Sequence, residues 1–164
     1  MTTAPASVTY ANVVSRETVR MALILAALND LDVQCGDVMN AYITAPVREK
    51  IWTILGPEHG EGEGKKAIIV RALYGLKSSG AAFRAHLCEC MEALGYKSCL
   101  ADPDLWYKAQ TRNDSEYHSY ILCYVDDIMV IHENARPVLD RIDKFMKLKG
   151  SSIGTQIDIR VADR

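Results

Sequence analysis

The thirteen residues "YILCYVDDIMVIH", at positions 120–132, decide both the fold and the candidate site of this chain. The run is apolar and β-branched, as in a buried strand, but Asp126 and Asp127 interrupt it. Burying an unpaired carboxylate costs on the order of several kcal/mol. Neighbours in an extended strand point to opposite faces, so only a tight turn crowds both aspartates at one end. The stretch therefore predicts a β-hairpin with the aspartates at its turn.

Two crowded carboxylates indicate that a cation belongs beside them. Their mutual repulsion raises the pKa of at least one carboxyl and destabilises the fold unless a cation is bound. Mg²⁺ suits such a place, because it takes oxygen ligands and combines few protein carboxylates with substrate phosphates. An ordinary surface turn is the alternative, since Asp is a favoured turn residue. The pair by itself leaves both interpretations open.

The composition is that of one soluble globular domain. The chain has 164 residues, of which 49% are hydrophobic and 24% charged, and its net charge is −2. A nearly neutral chain has no general attraction for nucleic acid, so any such interface must be a local patch. The longest apolar run, "MALILAAL" at 21–28, is too short to cross a bilayer, and the N-terminus does not resemble a secretory signal. We therefore expect no membrane partner.

The cysteines and the glycine-rich loop carry no separate chemistry. The five cysteines are odd in number and lack zinc-ligand spacing, which predicts reduced thiols in a reducing, intracellular compartment. The loop "GPEHGEGEGKK" at 56–66 is not a phosphate-binding loop. His59 stands where its first glycine would fall, and Lys66 where Ser or Thr is needed. A tight turn between strands is the preferred interpretation.

Periodicity predicts helices and strands interspersed along the chain. Helices are expected from Ser15 to about residue 30, at 79–94 and at 134–147. Strands are expected at 31–38, 49–55, 67–73, 104–110, 117–125, 128–132 and 152–161, with a turn at 111–116. The connections include hairpins, so the predicted class is α+β, an antiparallel sheet with helices packed on one face.

Four blocks of the chain, taken in order, carry a family resemblance. They are "GDVMNAYITAPVREKIW" (36–52), "RALYGLKSSGAAF" (71–83), "LGYKSCLADPDLWY" (94–107) and "YILCYVDDIMVIH" (120–132). Each block alone is a weak signal, but together they resemble the reverse transcriptases of copia-type retrotransposons over residues 14–149. This resemblance implies a right-hand polymerase palm with a ferredoxin-like antiparallel sheet.

The resemblance also implies a catalytic metal site. Asp37, Asp126 and Asp127 would be the catalytic carboxylates and, with the backbone carbonyl of Val38, the ligands of two Mg²⁺ ions, with Mn²⁺ as an alternative. One ion would activate the primer 3′-hydroxyl and the other would hold the incoming triphosphate.

Substrate-binding roles follow from the same resemblance for Val38, Tyr42, Lys77, Ser78, Ser79, Gly80, Tyr124 and Val125. Tyr42 would exclude a ribose 2′-hydroxyl, and its alternative is an aromatic core residue. Tyr124 and Val125 would line the primer terminus, with core packing as the alternative. The segment 77–80 opens a helix, where small residues and free N–H groups let a nucleotide or template approach; a plain helix cap is the alternative.

The chain departs from the family pattern in two respects. Ser78 stands where family members usually carry Gln, which puts one contact to template and nucleotide in doubt. Only thirteen residues precede position 14, and no thumb or ribonuclease H sequence follows the last helix. We therefore expect 1–164 to be a single palm-type domain with partial fingers.

Two functions remain as alternatives. The first is an RNA-directed DNA polymerase core, with template-primer and deoxynucleotide triphosphates as partners, in a cytoplasmic retrotransposon particle or the nucleus. The second is a transposon-derived relic or a recruited palm module, which would have a binding or structural role and no polymerase activity on its own. A metal-dependent nuclease is a weaker third idea. The isolated chain is expected to be weakly active or inactive, and the oligomeric state is not predicted.

Overall fold

The computed structural model describes residues 13–150, 153, 155 and 156, and within them the chain forms two compact units. One unit is residues 40–86. The other joins residues 13–39 to the segment that starts at residue 87. The single palm-type domain over 1–164 stays a prediction.

The elements agree with the predicted ones to within a few residues. The helices are α1 (Arg16–Leu28), α2 (Ala41–Thr44), α3 (Ser79–Ala93) and α4 (Arg136–Phe145). The strands are β1 (Asp32–Asp37), β2 (Pro46–Ile54), β3 (Lys66–Arg71), β4 (Lys97–Ser98), β5 (Leu105–Arg112), β6 (Ser115–Tyr124), β7 (Asp127–His132) and β8 (Thr155–Gln156). The tight turn predicted between β2 and β3 is wrong, because the connection from residue 55 to 65 holds a 3₁₀-helix, Pro57–Gly62. Helix α2 and strand β4 were not predicted, and most of the last predicted strand lies outside the described residues.

The larger unit is built on a six-stranded sheet in the order β4-β5-β6-β7-β1-β8. Every pair of neighbouring strands in it is antiparallel. The α+β class and the antiparallel sheet are therefore confirmed, whereas the polymerase palm stays a prediction.

Helices cover both faces of this sheet, so the prediction that they pack on one face is wrong. Helix α1 buries Ala22 and Ala26 in a cluster with Val33 of β1. On the opposite face, Gly36 lies so close to Leu139 of α4 that a Cβ atom there would be 3.2 Å from its side chain. Val33 and Gly36 are an odd number of residues apart in one strand, which puts them on opposite faces.

The reason lies in the central strands, whose apolar residues do not alternate with polar ones. Consecutive residues Ile121, Leu122 and Cys123 of β6 are all buried, as are Val130 and Ile131 of β7. Each face of the sheet therefore presents apolar side chains. Helices on one face alone would leave the apolar side chains of the other face exposed to solvent.

The apolar stripe predicted for α3 is confirmed, since all of its members are buried: Phe83, Leu87, Cys90, Met91 and Leu94. Gly95, just after the helix, has a φ of 82°, a conformation that favours glycine. The helix therefore ends where the sequence predicted.

The start of α1 is held by a buried aspartate. Asp102 is 9% exposed, and its Oδ2 accepts hydrogen bonds from the Ser15 amide at 2.9 Å and from Thr18 Oγ1 at 2.6 Å. Burial by itself raises the pKa of this carboxyl, but the hydrogen bonds from Thr18, Ser15 and the Asp104 amide outweigh it and hold the pKa below its ordinary value. Asp102 is thus a structural carboxylate that is stable as an anion.

The turn between β5 and β6 is shorter than predicted. The strands continue to Arg112 and from Ser115, so only Asn113 and Asp114 form the loop. Both have positive φ angles, 47° and 61°. Asn and Asp tolerate this left-handed region better than other non-glycine residues, so the turn is relaxed.

The smaller unit carries the two-stranded antiparallel sheet β2-β3. Trp52 and Ile68 are cross-strand partners, and both are exposed, as are Ile54 and Val70 on the same face. A two-stranded sheet has too few strands to bury an apolar face by itself. No helix in the described part of the chain is long and apolar enough to cross a membrane.

Candidate catalytic site

Two of the three predicted catalytic aspartates are cross-strand partners. Asp37 is the last residue of β1 and Asp127 the first of β7, directly opposite each other in the antiparallel pair. Side chains opposite each other in this way lie on one face, with Cβ atoms about 4.5–5.5 Å apart. The sheet register thus brings together two carboxylates that are 90 residues apart in the chain.

The third aspartate lies in the adjoining turn. The pair Tyr124–Asp127 closes the β6-β7 hairpin, so the two-residue turn consists of Val125 and Asp126. The prediction that both aspartates form the turn is therefore wrong by one residue, because Asp127 already belongs to β7. This register keeps Leu122 opposite Met129 on the face that α1 covers. The Asp126 carbonyl accepts a hydrogen bond of 2.8 Å from the Val38 amide, which ties the turn to the residue after Asp37.

Val125 has an unusual backbone conformation for its residue type. Its φ is 54°, in the left-handed region that a β-branched side chain rarely enters. The cost is of order 1–2 kcal/mol for such a residue. Local strain of this kind concentrates at functional sites. The strained turn thus coincides with the aspartates.

The electrostatics of the cluster are those of crowded anions. Burial, the Asp126 charge and the Asp37 charge, in decreasing order, raise the pKa of Asp127, and the Lys149 charge partly opposes them. A nearby cation therefore stabilises the ionised cluster.

Lys149 supplies such a cation, and sequence reasoning missed it. Its Nζ lies 2.6 Å from Asp37 Oδ2. The hydrogen bond to Asp37 and the charges of the three aspartates raise the pKa of Lys149, and desolvation only partly opposes them. In sequence this lysine is simply one of several around the end of α4, and no local signal distinguishes it from Lys144 or Lys147.

The donor set fits the metal that the family resemblance implies. Among the described residues, no group of three or more His, Cys, Asp or Glu side chains is arranged as a ready-made metal site. The three carboxylates nevertheless supply the hard oxygen ligands that Mg²⁺ and Mn²⁺ take, and a cation, the Lys149 ammonium, already contacts Asp37. The carbonyl role of Val38 stays a prediction.

A small pocket of about 150 Å³ borders Asp127. Its lining is mostly apolar and comprises Val14, Val19, Cys35, Leu122, Tyr124, Asp127, Ile128 and Met129. Burial, followed by the Asp127 charge, raises the pKa of Cys35, so this thiol stays protonated at neutral pH. All five cysteines are free thiols, as predicted.

The residues predicted to meet the primer terminus are exposed. Tyr124 is 55% and Val125 42% exposed. This exposure disfavours the core-packing alternative for both side chains. Their contact with a primer stays a prediction.

Tyr42 belongs to the unit of residues 40–86 and packs in an aromatic group there. Its ring centroid is 4.7 Å from that of Tyr74 and 6.2 Å from that of Phe83. This packing accords with the structural alternative for Tyr42, and its role against the ribose 2′-hydroxyl stays a prediction.

The predicted nucleotide-binding segment 77–80 lies at the start of α3. Ser79 is buried, and its hydroxyl donates a hydrogen bond to the Leu73 carbonyl, which is a structural task. Lys77 is exposed, whereas Ser78 and Gly80 are half-buried. The substrate roles of these four residues stay predictions.

Comparison with known proteins identifies the class. A family model described as "Reverse transcriptase (RNA-dependent DNA polymerase)" matches residues 5–152, and the chain belongs to this family. The resemblance to copia-type enzymes is confirmed by a curated relative, the "Retrovirus-related Pol polyprotein from transposon TNT 1-94" of Nicotiana tabacum. The two are 30% identical over 125 residues, which is 74% of this chain and 9% of the relative. No solved structure gives a significant match.

Proposed function

We propose that the site of Asp37, Asp126 and Asp127 transfers a deoxynucleotide from its triphosphate to a primer 3′-hydroxyl on an RNA template, with pyrophosphate as the leaving group. The observation that supports this is the cross-strand pair of Asp37 and Asp127, with Asp126 in the adjoining turn, in a chain of the reverse transcriptase family. Divalent ions held there would activate the primer hydroxyl and neutralise charge on the triphosphate.

The protein backbone orients the carboxylates of the site. Sheet pairing holds the Asp37 and Asp127 backbones, so their carboxylates face the same side before any ligand arrives. The hydrogen bond from the Val38 amide to the Asp126 carbonyl fixes the turn relative to β1. The exposed Tyr124 and Val125 leave this end of the hairpin accessible to a primer terminus.

The test is single-nucleotide primer extension on an RNA template, with Mg²⁺ or Mn²⁺ and a large excess of protein. We expect slow addition of the first nucleotide and no long products, because tight binding of nucleic acid requires many phosphate contacts. Asp127→Asn should lower the rate of addition by about 100-fold or more. The matched control is Asp140→Asn, which removes an exposed aspartate paired with Arg136 on α4. Equal rates in wild type and Asp127→Asn refute the proposal.

A second candidate, a palm-like module without polymerase activity, is favoured by one observation. The Lys149 ammonium already lies 2.6 Å from Asp37 Oδ2. Thermal melts with EDTA and with excess Mn²⁺ separate the candidates. A working site is stabilised by Mn²⁺ in the wild type and not in Asp127→Asn, whereas the non-catalytic module melts at the same temperature in both buffers.

A further inference from the structure

The segment after α4 fixes Lys149 against the aspartate cluster by its backbone. The Lys149 amide donates to the Asp37 carbonyl at 2.8 Å, and the Met39 amide donates to the Lys147 carbonyl at 2.8 Å. Between them, Val38 and Leu148 form an isolated antiparallel bridge. The segment is thus a short extension of the sheet beyond the end of β1.

Gly36 makes this arrangement sterically feasible. A Cβ atom at this position would lie 3.1 Å from Leu148 Cδ1, closer than ordinary van der Waals contact. Because Gly36 lacks a side chain, Leu148 packs directly on β1 next to Asp37. The ammonium of the following residue then reaches Asp37 Oδ2.

We propose that Lys149 is the built-in counter-cation of the aspartate cluster, and that a divalent ion must displace its ammonium from Asp37 to bind. This inference rests on the proposed function, because it concerns the same carboxylates. The Lys149 charge acts on all three aspartates but compensates only one of three negative charges. The cluster therefore keeps an attraction for a divalent ion. An ammonium and a metal ion on one carboxylate repel each other at a few ångströms.

The chain offers a matched control in Lys147. This lysine is two residues away, and it pairs at 3.3 Å with Asp143 on α4, which is not one of the three aspartates of the cluster. Lys147→Met and Lys149→Met change the net charge equally. Each variant loses one ion pair, so a larger loss in Lys149→Met than in Lys147→Met reports the additional contribution of the contact with the cluster.

The first experiment measures melting temperatures in EDTA at low salt, where charge interactions are least screened. Lys149→Met should melt lower than Lys147→Met, because it removes the ammonium that contacts Asp37 beside the other two carboxylates. Adding Asp126→Asn to Lys149→Met should restore part of the loss, and Lys149→Arg should stay near wild type. Equal melting of Lys149→Met and Lys147→Met overturns the proposal.

The second experiment titrates each folded protein with Mn²⁺ by calorimetry. Lys149→Met should bind Mn²⁺ about three- to fivefold more tightly than Lys147→Met, as expected when a partly exposed ion pair no longer competes. Equal or weaker binding of Mn²⁺ by Lys149→Met overturns the proposal that the ion must displace the Lys149 ammonium.

The two proposals fail in distinguishable ways. If none of these proteins binds Mn²⁺, the proposed catalytic function fails, and displacement fails with it. Lower melting of Lys149→Met in EDTA then still supports Lys149 as the counter-cation. If the wild type binds Mn²⁺ and both lysine variants behave alike, Lys149 has no such role and the catalytic proposal stands.

Discussion

Asp102 and Asp127 belong to the same compact unit and have the same side chain, but their surroundings are opposite. Asp102 is buried and accepts hydrogen bonds from Ser15 and Thr18, which hold the pKa of its carboxyl below the ordinary value. Asp127 faces Asp37 and follows Asp126, and burial together with these two charges raises the pKa of its carboxyl.

The difference separates a carboxylate that stabilises the fold from one that the fold tolerates. Like charges opposite each other on neighbouring strands are destabilising, and so is a β-branched residue at positive φ. Both occur where the end of β1 meets the β6-β7 turn: Asp37 lies opposite Asp127, and Val125 lies in the turn. Departures from local rules that collect at one place indicate a functional site. Lys149 offsets part of the charge penalty there.

The largest expected effect comes from removing each carboxylate in turn. Asp102→Ala should lower the free energy of unfolding by about 2–3 kcal/mol, because donors of Ser15 and Thr18 lose a charged acceptor. Asp127→Asn keeps the shape and removes one repelling charge, so in EDTA it should leave stability unchanged or raise it by up to about 1 kcal/mol. Urea denaturation followed by circular dichroism measures both. A similar loss in the two variants would mean that Asp127, too, is a structural carboxylate.

A smaller effect is expected from the two hairpin turns. Val125→Gly removes the strain of a β-branched residue at a φ of 54°, at the entropic cost of a glycine, and should raise stability by about 0.5–1 kcal/mol. Asn113→Gly changes the relaxed β5-β6 turn, where φ is 47°, and should alter stability by less than about 0.5 kcal/mol. Thermal melts of both variants in EDTA provide the comparison. A destabilised Val125→Gly would show that the valine side chain contributes packing that outweighs its strain.

The smallest expected effect is that of pH on the free energy of unfolding. The contributions of Asp102 and Asp127 to this free energy should change in opposite directions as the pH falls. The folded pKa of Asp102 lies below its ordinary value, so its stabilisation is complete above the ordinary pKa and is lost as pH falls through the folded pKa. The folded pKa of Asp127 lies above its ordinary value, so its penalty is complete above the folded pKa and disappears as pH falls towards the ordinary one.

Measured from pH 7 downwards in EDTA, any stability advantage of Asp127→Asn over wild type should shrink before the deficit of Asp102→Ala begins to close. Unfolding free energies at half-unit steps of pH test this order. The reverse order would contradict the assigned environments of the two aspartates.

Much of the local structure could be predicted because its signals are local. The apolar run around Asp126 and Asp127 indicated a hairpin, and the stripe from Phe83 to Leu94 indicated α3 with its buried face. The turn was misassigned by one residue, because sheet register depends on which side chains face each other across the strands. The continuous apolar runs correctly predicted buried strands. They did not indicate that α1 and α4 cover opposite faces of the sheet.

The sequence by itself determined that Asp37, Asp126 and Asp127 end apolar strands or lie between them, since this follows from patterns a few residues long. Only the tertiary structure decided that β1 pairs with β7, so that Asp37 faces Asp127, and that Lys149 reaches Asp37 across 112 positions of the chain. Periodicity reports which residues of one segment share a face, but it does not report which segments meet. That choice is made by packing such as Leu148 against Gly36, where the free energy depends on the fit of surfaces distant in sequence.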